Sequence, residues 1–312
     1  MTLTQVEYII AVATHKSFAA AAEKINVTQP TLSMQIKKLE EELDVLIFDR
    51  SKKPVLPTTV GAEIIEQGRE IIRERDQLFE ILEATKGEIK GELRIGIIPT
   101  LSPYLLPLFV TKFMSVLPDV DLVIEEIKTD QIVEKLNKEL LDVGILVTPL
   151  DEKGILEIPL FYELFVVYTS ETHPLWGKNK IAYDDLDPKK LWLLQEGHCF
   201  RNQMVNICKE QAKDETIKMR FESGSLETIK RLIEQQYGYT LLPELATLEL
   251  SDAEYQHVRN FEKPQPVREV SLVTRRKYVK KRLIDKLKDI ILDSVPEILK
   301  KSNRGQIISW KE

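Results

Sequence analysis

SFAAAAEKINVTQPTLSMQIKKLEEELDVLIFDR, residues 17–50, holds two helical runs around a break only two residues wide. Asn26 and Val27 make the break, Thr28 is suited to cap the helix that follows, and Pro30 falls in its first turn, where a missing N–H has no partner to lose. Leu32, Ile36, Leu39 and Leu43 then repeat at helical spacing as a buried stripe, which leaves Gln29, Thr31, Ser33, Gln35 and Lys37 on or near the open side. This is a helix-turn-helix pattern, and those polar side chains are base-edge and phosphate readers by type. Upstream, Val6, Ile9, Val12 and Ala13 predict a further helix, so the whole segment is expected to be helical. Downstream, DRSKKPVLPT gathers Arg50, Lys52 and Lys53 beside Pro54 and Pro57, which suits a wing against a phosphate backbone. The charge balance leaves a plainer reading open. The chain carries −6 overall, its first sixty residues are near electroneutral, and the basic cluster is then simply solvated.

Thr59 to Lys86 reads as one long helix in which Ile64, Gly68, Ile71, Arg75, Leu78 and Leu82 alternate steps of four and three. Ile65, Ile72 and Phe79 widen that heptad seam. Alone in water such a helix would expose too much apolar surface, so a second copy of the chain is expected to cover it; packing against the chain's own later domain is the alternative. GEIKGEL, with Gly87 and Gly91, then reads as a hinge. Beyond it strands alternate with helices: RIGIIP, PLFVTKFMSVLP, DLVIEEI, TDQIVEKLNKEL and VGILV predict a parallel α/β domain. LFVVY, the region around Cys199 and RFESGSLETIKRL predict a second subdomain, after which REVSLVTRR and a last helix return to the first. Ligands of such sheets collect beyond the carboxyl ends of strands, which turns Thr100 and Thr129 towards a cleft, although each threonine also reads as a helix cap.

A chain of 312 residues can bury a core and form two or three domains. MTLTQVEYII lacks the basic and apolar regions of a signal peptide, and no apolar run approaches the roughly eighteen residues of a membrane span, so a cytoplasmic protein with no membrane partner is expected. Thiols stay reduced in that compartment. Both cysteines nevertheless fall in EGHCFRNQMVNIC, residues 196–208, as Cys199 and Cys208. They read as unrelated core residues, as a metal site with His198 that has only three donors at hand, or as a redox pair. No cofactor and no metal are expected.

Along its whole length the chain resembles the LysR-type transcriptional regulators. Residues 17–50 carry the first part of the resemblance; GIIPTLSPYLLP, EGHCFRN, GSLETI, YTLLP and PVREVSLV are more specific, and resemble the peroxide-sensing group of that family. The resemblance implies a winged helix-turn-helix over 1–58, a dimerising linker helix and hinge over 59–90, and a periplasmic-binding-protein-like regulatory domain over 91–302. Subdomain I would span about 91–161 and 268–302, subdomain II about 162–267, and the assembly is commonly a tetramer. Promoter DNA would meet Thr28, Gln29, Pro30, Thr31, Ser33, Gln35, Lys37, Arg50, Lys52 and Lys53. Further implied partners are hydrogen peroxide, RNA polymerase and cellular thiol reductants, with activation of oxidative-stress genes and no enzymatic turnover. Thr100, Thr129, His198 and Arg268 would form the peroxide pocket. QQYGYTLLP departs from the family pattern, since Gln236 and Tyr239 stand where a small residue and a small aliphatic one are usual.

The chemistry of the thiols fits that resemblance. Phe200, Met204, Ile207 and Cys208 share one apolar face if residues 200–213 are helical, and Cys199 then sits at the amino terminus, where the helix dipole favours a thiolate with help from Arg201 and His198. Cys208 would point into the core as a neutral thiol. Nine residues of helix separate the two by roughly 13 Å of rise, against the about 7 Å between Cα atoms that a disulfide tolerates, so joining them would rearrange the segment. By resemblance Cys199 is then the peroxidatic thiol, oxidised to a sulfenic acid, and Cys208 the resolving one. A LysR-type regulator answering a small metabolite, its cysteines incidental, is the alternative; a thiol peroxidase carrying a DNA-binding domain is a third.

Overall fold

The structure is a computed structural model that describes residues 1–86, 89–194, 199–208, 225–235, 238–276 and 278–309. Two compact units divide the chain, Met1–Glu88 and Ile89–Glu312.

In the first unit, α1 (Leu3–His15), α2 (Phe18–Lys24) and α3 (Gln29–Leu43) follow the helical pattern closely. Thr2, Ser17 and Thr28 cap them, each side chain accepting a backbone N–H of the first turn, and Asn26 turns the chain at a positive φ of 55°. Ile9, Val12, Ala21, Leu32, Ile36 and Leu39 form the core with Phe48 and Ile65. Leu43, expected in the buried stripe, is instead 37% exposed. The helix ends there because Asp44 adopts a left-handed conformation, and the turned chain brings Ile47 and Phe48 into the core in its place. β1 (Phe48–Asp49) and β2 (Leu56–Pro57) pair antiparallel to frame the basic loop.

α4 (Thr59–Lys86) starts hard against this core: a Cβ on Gly61 would lie 2.0 Å from the Ile47 carbonyl oxygen, so only glycine fits. Its first half packs on α1. A Cβ on Gly68 would meet Val6 at 2.9 Å, Arg69 donates to Thr14 Oγ1 at 3.1 Å, and Arg75 pairs with Glu7. Two positions of the expected seam, Gly68 and Arg75, are thus occupied by the chain's own first helix, whereas Leu78, Phe79, Ile81 and Leu82 further along stand exposed.

In the second unit, β3 (Gly91–Ile97), α5 (Ser102–Val116), β4 (Val120–Glu126), α6 (Thr129–Asn137) and β5 (Val143–Thr148) alternate, and β3 lies between β4 and β5, parallel to both. β6 (Ile155–Thr169), β7 (Lys180–Ile181), α7 (Cys199–Cys208), α8 (Leu226–Gln235), β8 (Tyr239–Pro243), α9 (Asp252–Tyr255) and β9 (Val258–Phe261) follow, then β10 (Pro266–Arg275), α10 (Lys281–Ser294) and β11 (Gln306–Ile307). β10 returns between β5 and β6 and runs antiparallel to both, so the sheet is mixed rather than parallel. VREVSLVTR is buried almost throughout, and such a run does not fix the direction of the strand, which is why the sequence pattern missed this.

β6 joins two cores. Its first part pairs with β10, its last residues with β8 and β9. Ile95, Phe109, Ile145, Leu272 and Leu287 belong to one core; Phe165, Val167, Ile229 and Leu241 belong to the other. α7 bridges them, with Cys199 in the first core and Phe200, Met204, Ile207 and Cys208 in the second. Gln203 and Asn206 on the same helix donate to the carbonyls of Ile308 and Ser309, both at 2.7 Å, and so fasten the segment that follows β11. Among the described residues no helix is long and apolar enough to cross a membrane.

Candidate functional site

Cys199 opens α7 and is buried. Around it the sheet supplies Arg268 from β10, the loop after β3 supplies Thr100, and the first residue of α6 is Thr129. Neither threonine caps a helix: Leu101 and Lys128 hold the N-cap positions of α5 and α6. Thr100 is tied instead to the guanidinium, its Oγ1 accepting from Arg268 Nη1 at 3.1 Å and its carbonyl from Nη2 at 3.2 Å. The Thr129 side chain is buried, and its hydroxyl meets the Cys199 thiol. Arg268 itself is fully buried, lies 4.9 Å from the Phe200 ring centroid and is paired with Glu163 of β6, equally buried, at 2.7 Å. His198 lies outside the described residues.

Burial pushes the Cys199 thiol up, and the Thr129 hydroxyl, the charge of Arg268 and the N–H groups of Phe200 and Cys199 itself draw it only partly back. The expected gain from the helix amino terminus is therefore present but outweighed, because desolvation of a wholly buried sulfur is the larger effect. A cation acting on the thiol is Arg268. Cys208 closes the same helix, pushed up to about 12 by burial and drawn back by the Tyr239 hydroxyl. Tyr239, the aromatic departure in YTLLP, thus touches the second thiol, with its hydroxyl donating to the Asp187 carbonyl at 3.1 Å. Gln236 lies outside the described residues, as do residues 209–213 of the expected helix. Both thiols are free, and the intact α7 keeps them roughly 13 Å apart in rise.

Glu163 was not singled out in the sequence. Its signal is a lone carboxylate inside FYELFVVY, where a buried strand tolerates a charge only with a partner. A cleft of about 450 Å³ also opens beside the thiol region, lined by Pro99, Tyr104, Glu126, Lys128, Gln131 and Glu227 among others. Tyr104 donates to Glu227 at 2.8 Å across it, and the Lys230 ammonium holds the same carboxylate at 3.0 Å.

On the helix-turn-helix, Gln29, Pro30, Thr31, Lys37, Lys52 and Lys53 are exposed and Thr28 is engaged as the cap of α3. Lys37 lies 3.6 Å from Glu41 and Lys52 3.7 Å from Asp49, weak surface pairs that leave both cations in solvent. Ser33 and Gln35 are half-buried and engaged with neighbours: Gln35 accepts from Gln5 at 3.5 Å, and Ser33 accepts from Arg50 at 3.3 Å. Arg50 pairs at 2.8 Å with buried Glu40 and lies over the Phe18 ring, so it braces the wing.

Such a helix-turn-helix joined by a long helix to a two-core α/β unit defines a class. A model of the LysR substrate binding domain matches residues 86–296, and a model of the bacterial regulatory helix-turn-helix protein, lysR family, matches residues 3–62. The chain belongs to the LysR family of bacterial transcriptional regulators, and its helix-turn-helix makes it a DNA-binding protein. Within the family it is OxyR-like. It is 33% identical over 299 residues to the hydrogen peroxide-inducible genes activator of Haemophilus influenzae, covering 96% of this chain and 99% of that one. With the DNA-binding transcriptional dual regulator OxyR of Escherichia coli it shares 35% identity over 275 residues, 88% and 90% of the two chains. A full-length OxyR from Pseudomonas aeruginosa bearing a Cys-to-Asp substitution superposes with a TM-score of 0.78 at 36% identity, covering 95% and 99%. A hydrogen peroxide-bound OxyR mutant from Corynebacterium glutamicum does so with a TM-score of 0.60 at 27% identity, covering 94% and 92%.

Proposed function

We propose that the protein is a hydrogen peroxide-sensing regulator of oxidative-stress genes, switched by a reversible Cys199–Cys208 disulfide. The observation that carries this reading is the cluster at the head of α7, where a buried cysteine meets a buried cation and a buried threonine hydroxyl, with the second cysteine at the far end of the same helix. Thiolate sulfur attacks one peroxide oxygen; the S–O bond forms, the O–O bond breaks, and the leaving hydroxide takes up a proton as water. Thr129 and Thr100 hold the peroxide oxygens, and Arg268 stabilises thiolate and departing hydroxide. Cys208 sulfur then attacks the sulfenic sulfur, the S–S bond replaces the S–O bond, and a second water leaves. Two thiols have been oxidised and one peroxide reduced. Cellular thiols reverse the bond, so peroxide is a signal here and not a substrate for turnover.

The rest of the assembly belongs to the same proposal. Residues 1–58 read promoter DNA, 59–90 link and dimerise, and 91–302 sense, with subdomain I at about 91–161 and 268–302 and subdomain II at about 162–267. Two such dimers form a tetramer in contact with RNA polymerase in the cytoplasm. Peptide mapping after brief, near-stoichiometric peroxide exposure, paired with promoter footprinting of the same samples, tests the switch. Wild-type protein should show the Cys199–Cys208 linkage and a changed footprint, Cys199→Ser neither, and Cys208→Ser a sulfenic acid at Cys199 that is weakly transmitted. A linkage that never forms, or forms without a change on DNA, sinks the reading. The cleft at Tyr104 supports the second reading, a regulator answering a small polar metabolite, in which case Cys199→Ser keeps its inducer response.

A further inference from the structure

Arg268 and Glu163 face each other across the β10–β6 ladder, and both are completely buried. Every arm of the guanidinium is assigned. Nε donates to Glu163 Oε1 at 2.8 Å, Nη2 lies 2.7 Å from the same oxygen and also reaches the Thr100 carbonyl, and Nη1 takes the Thr100 hydroxyl. Glu163 is fixed in turn, since its other oxygen accepts the Leu245 N–H at 3.1 Å. Leu245 follows β8 and packs in the same core as Cys199, so one carboxylate ties the cation to the turn after β8. Arginine cannot shed its proton to escape a buried site, and a buried charge without a counterion is severely destabilising.

We infer that Glu163 is a positioning residue for the thiol chemistry: its carboxylate orients the Arg268 guanidinium towards Thr100 and cancels most of the positive charge that would otherwise reach Cys199. The inference rests on Cys199 being the reactive thiol. An ion pair at this separation presents a dipole to its surroundings where a lone guanidinium would present a full charge, and in a low-dielectric interior that difference is large. Burial holds the thiol up, and the charge of Arg268, paired as it is with Glu163, draws it only partly back. Other charged and titratable groups near this ion pair are Tyr104, the Glu227–Lys230 pair and the Glu244–Arg304 pair, each already hydrogen-bonded, with Arg201 on α7 itself. Glu163 is the one anion in contact with the guanidinium among the described residues.

The test is the pH dependence of Cys199 alkylation by iodoacetamide in the reduced full-length protein, read on the Cys199 peptide by mass spectrometry. Glu163→Gln keeps the side chain's shape and removes its charge, so the alkylation midpoint should fall by about one pH unit, making reaction below the midpoint about tenfold faster. In the double variant Glu163→Gln/Arg268→Gln the cation goes too, and the midpoint should return to the wild-type value or above. That control separates charge from a loosened pocket, which would lower the midpoint in both. If Glu163→Gln does not fold, Glu163→Asp carries the test with a smaller downward shift, because it keeps the pair but draws the carboxylate about one carbon–carbon bond away from the guanidinium. A midpoint unchanged or raised in the folded single variant, or equally lowered in the double, overturns the inference. No peroxide enters the measurement. A protein blind to peroxide but showing the predicted shifts would discard the sensing reading and leave the role of Glu163 standing.

Discussion

Cys208 gives the clearest residue-scale prediction, because its environment is the simpler of the two. Its folded value, pushed up to about 12, lies above the ordinary 9.0, so the folded state keeps a proton that the unfolded chain gives up first. The stability this contributes is complete below pH 9.0 and is lost as pH rises towards 12. Between those limits the slope attributable to this one thiol approaches about 1.4 kcal/mol per pH unit. Urea unfolding of reduced protein at pH 9 to 10.5 should therefore show a shallower loss of stability in Cys208→Ala than in wild type. Comparing slopes cancels the fixed cost of the small cavity. Equal slopes would mean that Cys208 is more hydrated than its burial indicates. Tyr239 belongs to this environment, and sequence could name it only as a departure; that its hydroxyl meets the thiol depends on β8 pairing with β6.

α4 is the element whose two halves have different fates. The half that packs on α1 is already satisfied, while Leu78, Ile81 and Leu82 make an exposed i, i+3, i+4 stripe on the other. Replacing Leu78 and Ile81 by Asp should leave the helix-turn-helix folded but dissociate dimers, with DNA affinity falling in step. Sedimentation velocity that still finds a dimer would shift the interface elsewhere. Helix existence was legible here from a heptad pattern, as it was in α1, α3 and α5, because periodicity reports one buried face. What the pattern did not separate is which neighbour covers that face: Gly68 and Arg75 fit a seam by spacing, yet they meet Val6 and Glu7. The thiol site divides the same way. Cys199, Thr100 and Thr129 stood out from the residues and Arg268 from a resemblance, whereas Glu163 came into view only when β10 ran antiparallel beside β6 and set a carboxylate against the arginine.

At the scale of the whole molecule, a chain of net charge −6 must hold DNA through a few local cations. Lys37→Ala, Lys52→Ala and Lys53→Ala should each weaken binding to specific and unrelated DNA alike, lowering the salt slope by about one for each phosphate no longer neutralised. Gln29→Ala should blur sequence preference instead. Arg50→Ala should behave differently from the lysines, lowering thermal stability as well as affinity, since it strands Glu40, which also receives the N–H groups of Ile47 and Phe48. An Arg50→Ala protein as stable as wild type would return that arginine to the phosphate readers. The helix between the thiols also reaches beyond its own unit of chemistry. Gln203 and Asn206 lie between Cys199 and Cys208 and hold Ile308 and Ser309, whose stretch is otherwise stitched to β10 by the N–H groups of Gln306 and Ile308. Any linkage of the two sulfurs must unwind that helix and withdraw both amides at once. Deuterium should then enter the backbone at 306–309 faster in oxidised than in reduced protein, a chemical record of the thiol state written about a hundred residues downstream of it.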